Sequence, residues 1–367
     1  MTVPIIFGIS STKLLQEEID LFSEHKAAGF ILFSRNIESK KQILELTTVL
    51  KGLYPERKIP IFIDQEGGRV ARIKPPIAAR FYPSAEHFSN IYNEDRLRAK
   101  LELKTNYIQL MSELRELGID SPCAPVCDLS FEGASDVIGD RSFGNNPDKV
   151  IDLCKSVIAG IQHSGGLPFI KHIPGHGRAF VDSHFDLPIV STPLEELETT
   201  DFKVFKELAS EKVWAMTAHI VYTSIDSNLP ATISKKIIDY IRNNIGFKGK
   251  LVSDDLCMYA LHGEVGKKRS TLKKVINLAE KDLEWREDYS QPLKELFDIN
   301  TYQITNLAII ELCKKNLAKS KAEFLASLTK VTRMTLDAGC NLALHCSGDI
   351  DEMRAICNVI TQNEEIK

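Results

Sequence analysis

Leu167-Pro168-Phe169-Ile170-Lys171-His172-Ile173-Pro174-Gly175-His176-Gly177 is the stretch on which the reading of the fold turns. A short apolar run stops abruptly at Lys171 and His172, and Pro174, Gly175 and Gly177 then break both helix and strand. Asp182-Ser183-His184 follows, so three histidines, a lysine and an acid fall within the fourteen residues 171–184. Polar groups on a loop of this composition do not serve amphipathic packing. Leu251-Val252-Ser253-Asp254-Asp255-Leu256 has the same form, an apolar run ending in adjacent carboxylates. Together the two segments suggest a histidine–aspartate pair acting as acid/base and a carboxylate acting as nucleophile.

Six further apolar runs, each followed by a turn signal and a helical pattern, lie at 3–9, 29–33, 60–63, 119–125, 214–220 and 341–345. With 168–171 and 250–253 they make eight predicted strands. Amphipathic stretches with apolar residues at i, i+3 and i+4 separate them, at 10–27, 40–51, 95–116, 148–163, 193–211 and 234–244. Asp148 and Ser234 have the character of helix N-caps. Alternation of strand and helix calls for a parallel sheet, and eight repeats argue for a closed (β/α)8 barrel, although pattern alone does not exclude an open doubly wound sheet. The polar groups favour the barrel. Asp64 follows the third run, Lys171 and His172 the fifth, His219 ends the sixth and Asp254 the seventh. In a barrel all of these share the C-terminal rim where catalytic groups collect.

The rhythm breaks at 264–330, a stretch rich in Lys, Glu and Leu with no strand signal. It reads as three or four helices inserted after strand seven of a TIM-type barrel spanning 1–350. A C-terminal helix or tail follows at 351–367. Nothing in the composition opposes a single large domain of 367 residues, 43% of them hydrophobic. A net charge of −4 gives no general attraction to nucleic acid or anionic membrane. No apolar run approaches the ~20 residues of a membrane span, the N-terminus lacks a signal-peptide pattern, and a cytoplasmic location is expected. Eight scattered cysteines show no CxxC pair, and Cys123 and Cys127 stand alone, so buried thiols are expected in place of a disulfide scaffold or zinc motif.

Each chemical group has a plainer alternative. Asp254 and Asp255 are both able to cap the next helix, but a cap needs one acid, and the rim position favours Asp254 for chemistry with Asp255 structural. Asp182, two residues from His184, is placed to orient the imidazole and raise its basicity, although Asp-Ser before a solvated histidine is also ordinary turn chemistry. His172 and His176 would share a metal only on a helix, which Pro174 argues against, and neither a metal nor a cofactor is expected. Asp64-Gln65-Glu66-Gly67-Gly68-Arg69-Val70-Ala71-Arg72 offers acids to sugar hydroxyls, and it lacks the Gly-Lys-Ser/Thr of a phosphate loop. Arg141 in Ile138-Gly139-Asp140-Arg141-Ser142-Phe143 is equally consistent with a surface salt bridge.

These segments, with Ile31-Leu32-Phe33-Ser34-Arg35-Asn36-Ile37, Thr217-Ala218-His219-Ile220, Pro230-Ala231-Thr232-Ile233-Ser234 and Ala338-Gly339-Cys340-Asn341, resemble the glycoside hydrolase family 3 β-N-acetylglucosaminidases of peptidoglycan recycling. The resemblance runs in family order over most of the chain before the insertion and resumes at the last strand. It implies a (β/α)8 barrel that removes non-reducing N-acetylglucosamine from peptidoglycan-derived sugar or muropeptide substrates, with retention. It implies Asp254 as nucleophile, His184 paired with Asp182 as acid/base, and Asp64, Arg72, Arg141, Lys171 and His172 as sugar-binding residues. No nucleic acid or membrane partner is implied, and no counterpart of 264–330 is found in the family's short enzymes. Rival readings are a phosphorylase or β-glucosidase of the same family and, in a different class, a sugar-binding barrel without catalysis.

Overall fold

The computed structural model describes residues 1–183, 186–281, 283–284, 286–297 and 301–364. The first strands are β1 (Ile5–Gly8), β2 (Gly29–Leu32) and β3 (Ile61–Ile63), followed by a hairpin of β4 (Gln65–Gly67) and β5 (Val70–Ala71). Then come β6 (Phe169–Ile173), β7 (Ile189–Val190), β8 (Trp214–Thr217), β9 (Val221–Tyr222), β10 (Leu251–Asp255) and β11 (Leu342–His345). Seven of these form one sheet, ordered β3-β2-β1-β11-β10-β8-β6, and every neighbouring pair is parallel.

Seven of the eight predicted strands are therefore present. The remaining one, expected at 119–125, is not a strand. Two isolated bridges stand in its place, Phe62 with Ser121 and Val126 with Lys171. The backbone N–H of Ile63 donates to Ser121 O at 3.0 Å, and that of Phe169 to Ala124 O at 2.8 Å. This segment thus spans the gap between β3 and β6 without regular pairing. Pro122 and Pro125 explain why, since proline lacks the N–H a central strand must donate.

The connecting helices follow the predicted pattern with local corrections: α1 (Gln16–Glu24), α2 (Lys40–Gly52), α3 (Ala85–Glu94), α4 (Arg96–Glu116) and α5 (Pro147–His163). Asn146, not Asp148, caps α5; its side chain accepts from the N–H groups of Asp148 and Lys149, and Pro147 takes the first-turn position where a missing N–H costs nothing. The stretch expected as one helix at 193–211 divides at Thr200 into α6 (Leu194–Thr199) and α7 (Asp201–Leu208). Ser234 caps α8 (Lys235–Asn243) as expected, accepting from Ile237 N–H. The insertion holds α9 (Gly263–Glu280), α10 (Arg286–Phe297) and α11 (Asn306–Lys319); α12 (Lys321–Ala338) leads back to β11, and α13 (Ile350–Glu364) closes the described chain.

Two apolar layers follow from strand alternation. Residues facing outward from the sheet, such as Ile5, Phe7, Phe30, Ile61 and Ile63, pack beneath the helices in the main core. Their inward-facing neighbours Ile6, Ile31, Phe62, Phe169, Met216, Val252 and Leu344 fill the inside of the sheet's curve. Phe62 and Phe169 meet edge to face with centroids 5.6 Å apart. The insertion has a small core of its own, built from Leu272, Val275, Ala279, Leu293, Ile309, Ile310 and Cys313. Leu296, Phe297 and Leu312 pack against it as their apolar character suggests, whereas Leu307 is exposed.

Candidate active site

A cavity of about 190 Å³ opens at the C-terminal ends of the parallel strands. Its apolar floor is the top of the inner layer, Ile31, Met216 and Leu344. Into it point Asp64, Glu66, Arg72, Arg141, Lys171, His172, His176, Ser183, Asp254 and Asp255. Neighbouring residues of a regular strand face opposite sides, yet Lys171 and His172 both line the cavity, as do Asp254 and Asp255. The register shifts between Lys171 and Ile173 on β6, and between Val252 and Asp255 on β10. Such irregularities re-aim side chains.

Five charged groups form one network. Arg141 holds Glu66 through two bonds, Nε to Oε2 and Nη2 to Oε1, each 2.8 Å. Lys171 Nζ lies 2.6 Å from Glu66 Oε1 and 3.2 Å from Asp64 Oδ1, and Arg72 Nη2 donates to Asp64 Oδ2 at 2.9 Å. Arg141 is thus no surface residue; its side chain is 12% exposed. Burial alone would raise the Glu66 carboxyl, but the charges of Arg141 and Lys171 overturn that and hold it down to about 2. Burial likewise opposes ionisation of Asp64, and Lys171 with Arg72 holds it well below the usual carboxylate range. For Lys171, desolvation is outweighed by Glu66 and Asp64, so its ammonium is held more firmly than usual.

Asp128 organises the histidines. Fully buried, it accepts from the backbone N–H of His172 at 3.1 Å and of His176 at 2.7 Å, and its Oδ2 lies 2.7 Å from His172 Nδ1. That contact fixes the ring and leaves the Nε2 edge for a ligand. His176 Nε2 meets Ser183 Oγ at 3.0 Å; burial, with His172 beside it, lowers His176 to about 4, so it is neutral near pH 7.

Asp254 Oδ1 accepts from the Asp255 N–H at 2.7 Å. Asp255 is structural, its Oδ1 accepting from the N–H groups of Cys257 and Cys346 at 3.0 and 3.1 Å. His219 is buried against Thr232 Oγ1 at 2.7 Å and Asp255 O at 3.0 Å, at the end of β10. Of the expected site residues, Asp64, Arg72, Arg141, Lys171, His172 and Asp254 meet in this cavity. Asp182 precedes the cavity-lining Ser183 and its carbonyl accepts from Asp186 N–H at 3.1 Å. His184 lies outside the described residues.

Sequence reasoning missed the roles of Asp128 and Glu66. Asp128 carried a usable signal, an acid closing an apolar run, as Asp64 does after β3. Glu66 stood in a segment singled out for its acids, but its bond to Arg141 spans 75 residues and has no local trace.

Residues 6–280 match the glycosyl hydrolase family 3 N-terminal domain, and the chain belongs to that family. It is an enzyme of the kind whose curated members bear the name β-hexosaminidase. The protein of that name from Alkalilimnicola ehrlichii is 37% identical over 261 residues, 70% of this chain and 73% of its own length. One from Xylella fastidiosa is 35% identical over 265 residues, 71% of this chain and 77% of its own. The crystal structure of NagZ from Neisseria gonorrhoeae in complex with N-trifluoroacetyl-D-glucosamine superposes with a TM-score of 0.74 at 28% identity, covering 97% of this chain and 84% of that one.

Proposed function

We propose that this hydrolase is a retaining exo-β-N-acetylglucosaminidase that releases non-reducing N-acetylglucosamine from N-acetylglucosamine–(anhydro)N-acetylmuramic acid fragments of peptidoglycan. The observation that carries the reading is the juxtaposition of Asp254 with the Asp64, Arg72, Arg141 and Lys171 network in one cavity. A cavity of about 190 Å³ suits one sugar ring better than a glycan strand, which favours exo action. The sugar hydroxyls would be held by Asp64, Arg72, Arg141, Lys171 and His172. Asp254 would attack the anomeric carbon while His184, oriented by Asp182, protonates the leaving oxygen; water then cleaves the glycosyl-aspartate with His184 as base. We further propose that the segment 121–127 completes the ring of strands as an irregular eighth member of the barrel. The peptidoglycan substrate rests on the motif resemblance alone, while the names its relatives bear support only the hexosaminidase class. A reducing, cytoplasmic setting accords with eight unpaired thiols.

A chromogenic N-acetylglucosaminide, assayed with and without phosphate, tests the reading. Free N-acetylglucosamine is the expected product under both conditions; sugar 1-phosphate as the main product would replace the hydrolase with a phosphorylase. For His184→Ala the expected loss depends on the leaving group. It is severe on a natural disaccharide, by about 10²-fold or more, and milder on a nitrophenyl glycoside that departs unprotonated. Equal losses on both would remove His184 from the acid/base role.

The insertion is assigned no part in the chemistry. Its core is separate from the main core, whereas Phe324 and Leu328 of α12 belong to the main one. Arg269 Nη1 donates to Ser320 Oγ at 2.8 Å, so the two ends of the excursion already touch. Replacing Lys274–Lys319 with a short linker is expected to leave a folded enzyme active on the small chromogenic substrate, with any penalty confined to longer fragments. A folded truncation inactive on the small substrate would instead make the insertion part of the site.

A further inference from the structure

Behind the nucleophile strand, on the side away from the sugar network, three metal-ligating side chains converge. They are Cys257, two residues beyond β10, His345, the last residue of β11, and Glu352 in the first turn of α13. His345 Nε2 lies 3.0 Å and Cys257 Sγ 3.7 Å from the same carboxylate oxygen, Glu352 Oε2. All three ligand atoms fall within 4.8 Å of one another. Tetrahedral zinc, with bonds of about 2.0–2.3 Å, separates its ligands by about 3.3–3.7 Å. Small side-chain adjustments would therefore bring all three into reach of one ion. Ser347 Oγ stands at the same place, 2.5 Å from Glu352 Oε2 and 3.2 Å from His345 Nε2.

The surroundings of the three side chains are largely buried. Glu352 is 7% exposed and, among the described residues, its ion-pair partner is His345 and neither a lysine nor an arginine. A buried carboxylate is normally hydrogen-bonded, paired or bound to a metal. Cys257 is partly exposed, while His345 is fully buried. Glu352 lies 7 residues from His345 and 95 from Cys257 along the chain, so no spacing motif announces the three ligands.

We propose that Cys257, His345 and Glu352 form a binding site for a borderline-soft divalent cation of the zinc class, with Ser347 Oγ or a water completing the coordination. Binding replaces the Cys257 thiol proton with a metal–sulfur bond and releases that proton to solvent, while the neutral His345 imidazole carries its single proton on Nδ1 and gives the Nε2 lone pair to the metal. The ion would clamp β10, β11 and α13 together. It would also reach the nucleophile indirectly, since the N–H groups of Cys257 and Cys346 hold Asp255, whose own N–H holds Asp254. The bland alternative is a hydrogen-bonded clamp that seats α13 on β11 without a metal.

Cobalt(II) titrated into chelator-treated full-length protein separates the two, because cysteine thiolate ligation gives an intense near-ultraviolet charge-transfer band that carboxylate and imidazole do not. The expected result is a band saturating at about one ion per chain, lost in Cys257→Ser, weakened at least tenfold in apparent affinity in Glu352→Gln, and retained in Asp254→Ala. Zinc should raise the melting temperature of the wild type and not of Cys257→Ser. The wild-type titration is decisive without any variant: absence of the band at cobalt excess overturns the site. A band that survives Cys257→Ser assigns the metal to another thiol and overturns it equally.

Discussion

Asp254→Ala is expected to reduce turnover of a chromogenic N-acetylglucosaminide by about 10³-fold or more, because a covalent route has no substitute for its nucleophile. Asp254 lines the cavity, and the Asp255 N–H at 2.7 Å orients its carboxylate. Its removal should leave the fold intact. The apolar support of β10 comes from Leu251 and Val252, and Asp255 keeps its own bonds to the Cys257 and Cys346 amides. Steady-state kinetics with a melting curve on the same preparation checks both halves. Activity within about tenfold of wild type would take the nucleophile's role away from Asp254.

Lys171→Met is expected to be the most destabilising change at the site. The ammonium is 2% exposed and shared between Asp64 and Glu66, so its loss leaves the buried Glu66 and the partly buried Asp64 with one arginine each. Breaking a buried charge network by removing one partner costs about 3–5 kcal/mol, and the retained Arg72 and Arg141 place the expected loss near the lower end, about 3 kcal/mol. Glu66 and Asp64 have folded pKa values depressed below their ordinary ones, so their contribution is complete above the ordinary carboxylate range. It is lost as pH falls from about 4.5 toward about 2. Without Lys171 that depression shrinks, and the gap between wild type and variant should narrow at pH 3 relative to pH 7. Urea unfolding at both pH values measures it. A variant within about 0.5 kcal/mol of wild type at pH 7 would mean that the arginines suffice.

The strand–helix rhythm was legible because burial on both faces of a parallel sheet writes short apolar runs into the chain, and seven of eight runs became strands. The eighth was misread because its apolar content satisfies the pattern while Pro122 and Pro125 deny it a ladder. Polar residues closing those runs identified Asp64, Lys171, His172 and Asp254 of the cavity lining. Thr200 split a helix that periodicity left whole, and Asn146 took a cap assigned to Asp148, since boundaries depend on single side-chain bonds that a hydrophobic period does not encode.

By itself, then, the sequence determined a parallel α/β chain, a rim bearing Asp64, Lys171, His172 and Asp254, and a helical excursion after β10. Local rules of period and turn chemistry act over a few residues, and each of these features is local. Tertiary structure alone decided the pairing of Arg141 with Glu66, the burial of Asp128 beneath His172 and His176, and the meeting of Cys257, His345 and Glu352. Those contacts join segments tens of residues apart. A charge is tolerated in such a place only when folding delivers its partner within hydrogen-bond reach, and nothing in the surrounding residues of the chain records which partner that will be.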